Sequence, residues 1–241
     1  MKAQGWHFRL DGDEFDINGV AELFSDEVTT IKDENGRIYL VLDLPLTPNE
    51  TQAAREAAEE LLAKLNAIAQ LVHGNHENVR IGAVGYKDSS GGPMQQFIGL
   101  SSIRGRSRVG AVFITNSGAS SSVTTPAKKL GDRMLAAADK NEGLERALSL
   151  LGSLPLDWRG LYMVLEAAED AHGGESGLIA RKWVPDGQIK AFKATANSYK
   201  ALRLEARHGT LRTGIDHARQ TLTEAREMVT TIIAKWCKES I

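Results

Sequence analysis

The hydrophobic period of this chain changes near its middle, and that change constrains the fold more than any other feature. Residues 6–44 largely alternate between apolar and polar side chains, beginning with Trp6-His7-Phe8-Arg9-Leu10, and Phe15 and Ile17 continue the alternation. Alternation is typical of strands, whereas the apolar residues beyond Pro126 recur at the three- and four-residue steps of amphipathic helices. The sequence therefore predicts an α+β fold, with an N-terminal antiparallel sheet and a C-terminal helical bundle.

Short local signals place the elements within each half. Asn35-Gly36 is a hairpin-turn signal between two strand-like stretches. Thr47-Pro48-Asn49-Glu50 combines a capping box with a proline at the first helical position, which predicts one long helix from Pro48 to Val72 across a face of the sheet. In the second half, Asp157 and Thr221 have the character of helix N-caps.

A small polar segment, residues 116–126, separates the two patterns. It contains three consecutive serines and shows neither period, which is typical of a linker or a surface loop. We therefore predict an α+β domain over 1–115, a Ser-rich linker over 116–126 and a helical bundle domain over 127–241. Because the linker is short, we expect the two domains to pack as one body.

The composition restricts the cellular setting. The chain has a single cysteine, Cys237, and no apolar run of the length that crosses a membrane. These features predict a protein of the reducing cytoplasm that does not contact a membrane. The net charge is only −2, but residues 181–241 contain 12 basic and 6 acidic residues. That excess indicates an anionic partner, or it is simply a solvated helical surface.

The C-terminal excess of positive charge contains one ordered pattern. If residues 187–208 form a single helix, one face presents side chains at steps of three and four: Lys193, Asn197, Lys200, Arg203 and Arg207. Like charges at this spacing repel each other, and an anion bound across them would relieve the repulsion. Arginine suits phosphate because its planar guanidinium donates two parallel hydrogen bonds. Lys193, Asn197, Lys200 and Arg207 are therefore predicted to bind an anion such as the RNA backbone.

His208, at the end of this pattern, adds acid–base chemistry. Glu205 lies three positions before it and is expected to orient its imidazole. A histidine beside arginines can move a proton to or from a ribose hydroxyl or a leaving oxygen. Arginine can meanwhile stabilise the negative charge that develops on the phosphoryl oxygens.

The stretch Arg203-Leu204-Glu205-Ala206-Arg207-His208-Gly209 resembles the spacing of arginine, four residues and histidine in the HEPN superfamily of helical bundles. The resemblance covers at most residues 127–241, and the whole chain also resembles bacterial proteins without an assigned function. It implies a homodimer and, by motif position, a catalytic pair of Arg203 and His208 in a metal-independent endoribonuclease. Leu204 stands where the nuclease members commonly have a polar residue, and other members of the superfamily are inactive binding modules.

Three interpretations of the C-terminal pattern stay open. The first is an RNA-processing or RNA-cleaving protein of a bacterial defence or toxin-type system, acting through a basic helix that ends in Arg-His-Gly. The second is a non-catalytic module that binds a protein or a nucleic acid through the same helix. The third is structural: Arg203 and Arg207 are solvated or salt-bridged, and His208 helps to end a helix. Arg212 and His217 have the same spacing, as is common for short motifs.

A second basic stretch lies in the N-terminal half. Arg104, Arg106 and Arg108 are predicted at the tip of a hairpin formed by residues 96–115, where they either contact a phosphate backbone or form a soluble turn. His73 and His76 have the chemistry of metal ligands, but no third ligand is specified nearby, so we predict no metal site. No phosphate-binding loop or dinucleotide motif occurs, so we predict no cofactor.

Overall fold

A computed structural model describes residues 5–24, 29–32, 35–74, 77–87, 95–97, 125–208, 215 and 217–241. Within these ranges an antiparallel sheet and a long helix form the N-terminal part, and a set of helices forms the C-terminal part. The predicted α+β fold is therefore confirmed. No helix among the described residues is long and apolar enough to cross a membrane.

The sheet contains five strands: β1 (Gly5–Asp11), β2 (Thr29–Lys32), β3 (Ile38–Leu42), β4 (Arg80–Lys87) and β5 (Gln95–Phe97). Their order is β2-β3-β1-β4-β5, and all neighbouring strands are antiparallel. In the central strand Trp6, Phe8 and Leu10 alternate and are all buried. The hairpin between β2 and β3 turns at Gly36, whose φ of 79° is one that glycine adopts without strain.

The strand interpretation of Phe15 and Ile17 was wrong, because both lie on helix α1 (Glu14–Leu23). The carboxylate of Asp13 accepts a hydrogen bond from the backbone N–H of Phe15 at 2.9 Å and so caps this helix. Val20 and Leu23 are buried, whereas Phe15 is exposed. A two-residue alternation is too short to distinguish a strand from the first turn of a helix.

Helix α2 (Thr51–His73) confirms the predicted long helix. A 3₁₀ turn over Pro48–Glu50 precedes it and contains the predicted capping box. The backbone N–H and the hydroxyl of Thr47 both donate to the carboxylate of Glu50 at 2.8 Å. These two hydrogen bonds stabilise the charged carboxylate and therefore lower the pKa of Glu50.

The C-terminal half contains α3 (Thr125–Ala138), α4 (Glu142–Ser153), α5 (Trp158–Ala171), α6 (Glu175–Ala180), α7 (Asp186–Ala196), α8 (Tyr199–Leu202) and α9 (Leu222–Ser240). Asp157 caps α5 by accepting hydrogen bonds from the backbone N–H groups of Arg159 and Gly160, and Thr221 forms a capping box at the start of α9. Both predicted N-caps are therefore confirmed.

Buried residues from both halves form one continuous hydrophobic core. Helix α4 crosses α2 so closely that a Cβ atom at Gly152 would overlap the carbonyl oxygen of Ala63. At the same junction the ammonium of Lys64 donates to Glu145 at 2.8 Å and to Asp139 at 3.4 Å. The predicted linker lies outside the described residues except for its last two, which begin α3. The helical half is thus packed directly against α2.

Candidate functional site

The predicted basic face is not one helix. Helix α7 ends at Ala196, α8 begins at Tyr199, and a 3₁₀ turn covers Arg203–Glu205. Ser198 starts the new helix, because its hydroxyl accepts a hydrogen bond from the backbone N–H of Ala201 at 3.3 Å. The prediction of a continuous helix over 187–208 was therefore wrong, and the residues expected on one face lie on separate elements.

Residues 203–208, which we call the basic segment, fold back against α7. Arg203 has a φ of 54°, an uncommon conformation for a residue with a side chain, and the chain reverses there. The backbone N–H of Arg207 then donates to the carbonyl of Ala196 at 2.8 Å. The chain therefore runs through α8, reverses direction at Arg203 and returns, so that Arg207 lies beside the end of α7.

Helix α5 holds the basic segment in place through Arg159. Its guanidinium donates to the carbonyl of Leu204 at 3.1 Å and to the carbonyl of Ala206 at 3.2 Å. Ala206 is buried, with 3% of its surface exposed. Since two carbonyls and one side chain are anchored, the backbone of the segment is fixed while several of its side chains point into solvent.

Lys193 is not part of this surface. Its ammonium donates to both carboxylate oxygens of Glu169, at 3.0 and 3.1 Å, and to Glu175 at 2.6 Å. Burial disfavours the charged form of Lys193, but the hydrogen bonds and charges of these two carboxylates outweigh burial and raise its pKa. Because the two carboxylates already neutralise its charge, Lys193 has a structural role in this arrangement.

Two other predicted residues lie at the helix junction. The side-chain amide of Asn197 donates to the hydroxyl of Tyr162 at 3.3 Å, while its Oδ1 atom is buried and has no partner among the described residues. Lys200 is exposed on α8. Asn197 thus supports the junction from within, and Lys200 stays on the surface near the basic segment.

Arg207 contacts an aromatic ring, a carboxylate and an imidazole. Its guanidinium carbon lies 4.1 Å from the centre of the Tyr162 ring, a cation–π arrangement. Nη2 donates to the carboxylate of Glu166 at 2.9 Å. Nη1 lies 3.3 Å from Nε2 of His208. Since a guanidinium can only donate, a hydrogen bond in this contact requires Nε2 of His208 to accept, which is its role in the tautomer that carries the proton on Nδ1.

Four other side chains of the segment are open to solvent. Arg203, Glu205 and His208 are exposed, and Leu204 is 82% exposed. The hydrogen bond of the His208 imidazole comes from Arg207, so the expectation that Glu205 orients it was wrong. The two residues of the predicted catalytic pair lie on one anchored segment.

Sequence reasoning did not identify three residues of α5 that complete the site: Arg159, Tyr162 and Glu166. They are spaced by three and four positions, so a cation, an aromatic ring and a carboxylate share one face of the helix. That spacing is a signal for a common face, but the pattern also suits an ordinary amphipathic helix, and it contains no information about which segment lies opposite.

The remaining predictions concern a second basic stretch and a metal site. Arg104, Arg106 and Arg108 lie outside the described residues. Within the described ranges, no group of three or more histidine, cysteine or acidic side chains is arranged to hold a metal ion. A surface cavity of about 340 Å³ lies between β1, α1 and the turn before β3, and Arg9 is among its lining residues. Its lining contains two arginines, Arg9 and Arg37, and two carboxylates, Asp11 and Glu14, and Asp11 pairs with Arg9 at 2.7 Å, so the positive charges of the cavity are balanced by negative ones.

No protein-family model matches this chain, and no curated protein or solved structure matches it. The relationship to the HEPN superfamily therefore stays a prediction from the motif.

Proposed function

We propose that the basic segment binds RNA phosphates and that the chain is a HEPN-like RNA-processing protein of a bacterial defence or toxin-type system. The observation that supports this most directly is that Arg203, Arg207 and His208 share one segment whose backbone is anchored by Arg159, with Arg203 and His208 exposed and Arg207 partly exposed. A segment that is already fixed loses little conformational entropy when a ligand binds. Arginine is also the side chain best suited to paired hydrogen bonds with phosphate oxygens.

In this proposal the chemistry is metal-independent cleavage of a phosphodiester. The neutral imidazole of His208 takes the proton of a ribose 2′-hydroxyl, and the 2′-oxygen attacks the adjacent phosphorus. The bond from phosphorus to the 5′-oxygen breaks, and the leaving oxygen receives a proton from the imidazolium or from water. Arg203 stabilises the negative charge on the remaining phosphoryl oxygens. The products are a 2′,3′-cyclic phosphate and a 5′-hydroxyl end.

RNA cleavage by the purified protein tests this mechanism. We expect the wild type to cleave single-stranded RNA in the presence of a metal chelator. His208→Ala and Arg203→Ala should abolish cleavage while remaining folded by circular dichroism. His217→Ala is the matched control, since His217 is also exposed and belongs to the second arginine–histidine spacing. Absence of cleavage by the wild type, or cleavage unchanged in His208→Ala, would overturn the catalytic proposal.

The proposal also includes a homodimer, as the resemblance implies. Leu204 is 82% exposed between Arg203 and Glu205, and an apolar side chain in that position suits burial at a contact between copies. Sedimentation equilibrium of the wild type and of Leu204→Ser tests it. A wild-type dimer that weakens in Leu204→Ser supports a contact at the segment, whereas a wild-type monomer contradicts the homodimer.

A non-catalytic binding module is the second candidate, and the contact at His208 favours it. Nε2 is the atom that would take a proton, and in this arrangement it already accepts a hydrogen bond from Arg207. A binding module would hold RNA in a salt-dependent way without cleaving it. Products of cleavage in the RNA assay separate the two candidates directly.

A further inference from the structure

We propose that Glu166 is an internal competitor for the RNA phosphate at Arg207. This inference rests on the proposed function, because it assumes that the anion at the basic segment is RNA. Glu166 acts on the binding of that anion at Arg207 and not on its cleavage by Arg203 and His208. The juxtaposition that carries the inference is a guanidinium held on an aromatic ring with a carboxylate at its edge.

The position of the Arg207 guanidinium is set by Tyr162. Tyr162 is only 5% exposed, its ring lies 5.8 Å from the ring of Phe192, and its hydroxyl accepts a hydrogen bond from Asn197. The guanidinium covers this fixed ring at 4.1 Å. The backbone of Arg207 is separately anchored to the carbonyl of Ala196. Removal of Glu166 is therefore expected to leave the cation where it is.

Glu166 contacts the edge of the guanidinium, whereas the Tyr162 ring covers its face. Its carboxylate accepts from Nη2 at 2.9 Å, and the side chains of Arg207 and Glu166 are 33% and 45% exposed. An ion pair this exposed contributes little to stability and can be exchanged. Phosphate oxygens, like carboxylate oxygens, are negatively charged hydrogen-bond acceptors, so a phosphate can accept the hydrogen bonds that Glu166 accepts. The guanidinium is thus preoriented, and its charge is provisionally paired.

The carboxylates around Lys193 show why exchange of a carboxylate for a phosphate is expected at Arg207 and not at every paired cation. Lys193 is enclosed by two carboxylates, and the side chain of Glu169 is only 12% exposed. A phosphate cannot replace Glu169 without leaving a largely buried charge unpaired. Glu166, in contrast, returns to water when it is displaced. Exchange with an external anion is therefore reasonable at Arg207 and unfavourable at Lys193.

The competition has measurable consequences. In the wild type, an RNA phosphate that binds Arg207 replaces the carboxylate of Glu166, so the charge of the guanidinium is neutralised little more than before. In Glu166→Gln the guanidinium keeps an uncharged acceptor but loses its charged partner, and removal of this negative charge is expected to raise RNA affinity roughly fivefold. The same change should steepen the dependence of log affinity on log salt concentration by about 0.7 for a single strand.

The experiment is fluorescence anisotropy with a short, labelled, single-stranded 2′-O-methyl RNA over a series of salt concentrations. The methyl groups prevent cleavage through the 2′-oxygen, so binding is measured alone. The proteins are the wild type, Glu166→Gln, Glu205→Gln and Arg207→Ala. Glu205→Gln is the matched control, since it removes the same negative charge from an exposed position on the basic segment. The carboxylate that pairs with the Arg207 guanidinium is that of Glu166, so this control leaves the pair intact.

The outcomes separate this inference from the proposed function. Tighter binding and a steeper salt dependence in Glu166→Gln, both exceeding those of Glu205→Gln, support the competitor. Binding that Arg207→Ala weakens but Glu166→Gln raises no more than Glu205→Gln does overturns the competitor and leaves the proposed function intact. Binding that is unchanged in Arg207→Ala overturns the competitor, because the anion then binds elsewhere. No binding by any of the four proteins overturns the proposed function and the competitor together.

Discussion

Lys193 and Arg207 were expected on one basic face, and the structure places them in opposite settings. Lys193 lies in a cluster with Glu169 and Glu175, where its ammonium makes three hydrogen bonds to carboxylate oxygens. Arg207 lies on the ring of Tyr162 with one carboxylate, Glu166, at its edge. Both side chains carry one positive charge, but the charge of Lys193 is paired inside a cluster of carboxylates and the charge of Arg207 is kept near the surface.

The difference comes from the donor geometry and the number of carboxylates. A lysine ammonium has three N–H donors, and the Lys193 cluster supplies three acceptor contacts. A guanidinium has five N–H donors, and among the described side chains the polar contacts of the Arg207 guanidinium are with Glu166 and His208. Arg207 therefore keeps donors for a ligand. Sequence spacing cannot distinguish these two cases, because the carboxylates come from other elements.

The largest expected effect is loss of stability on disrupting the Lys193 cluster. Lys193→Ala leaves Glu169 and Glu175 without their shared cation, and we expect the free energy of unfolding to fall by about 2 kcal/mol. RNA affinity should stay unchanged, since Lys193 lies outside the basic segment. Urea unfolding and anisotropy measure the two quantities. Lys190→Ala, an exposed position on the same helix, is the control and should change stability by less than about 0.5 kcal/mol. A weakened RNA affinity in Lys193→Ala would remove the contrast between the regions.

The opposite behaviour is expected of Arg207. Arg207→Lys keeps the charge but loses the planar group that covers Tyr162, so RNA affinity should fall roughly fivefold with little change in the salt dependence. Arg207→Ala should lower both the affinity and the salt dependence. In Arg207→Ala the free energy of unfolding should fall by only about 1 kcal/mol, because the ion pair with Glu166 and the cation–π contact with Tyr162 are both partly exposed. Equal RNA affinities for lysine and arginine at this position would show that only the charge matters.

The elements that sequence reasoning placed correctly depend on signals within a few residues. Thr47 and Glu50 form their capping box three positions apart, and Thr221 and Glu224 do the same at α9. Such boxes stabilise a helix start whatever surrounds it, so they are visible in the sequence. Helix α1 was missed because Asp13 was its only cap signal, and the alternation that follows Asp13 also fits a strand.

The candidate site could be predicted only as a set of residues. Arg207 and His208 were identified by spacing, but Glu166, the partner of Arg207, lies 41 positions earlier in the chain. The helix was assumed to continue past Ala196 because the three- and four-residue spacing continues. The reversal at Arg203, with its φ of 54°, instead depends on tertiary contacts such as those from Arg159. Long-range partners of this kind have no local signature.

The smallest expected effect is the pH dependence of the contrast between the two regions. Burial disfavours charged Lys193, yet Glu175 and Glu169 outweigh burial and raise its pKa above the ordinary value of 10.5. A raised pKa means that the cluster contributes its full stability below about pH 10.5 and loses it as the pH rises through the folded-state pKa.

The measurement is the free energy of unfolding of the wild type and Lys193→Ala between about pH 9 and pH 12. The pKa of Lys64 is also raised, since Glu145 and Asp139 together outweigh its burial, but Lys64 is present in both proteins and its effect cancels in the difference. We expect the stability difference between the two proteins to shrink as the pH rises. A difference that stays constant would mean that Lys193 stabilises the fold through the packing of its aliphatic chain rather than through its charge, and the two regions would then differ in burial alone.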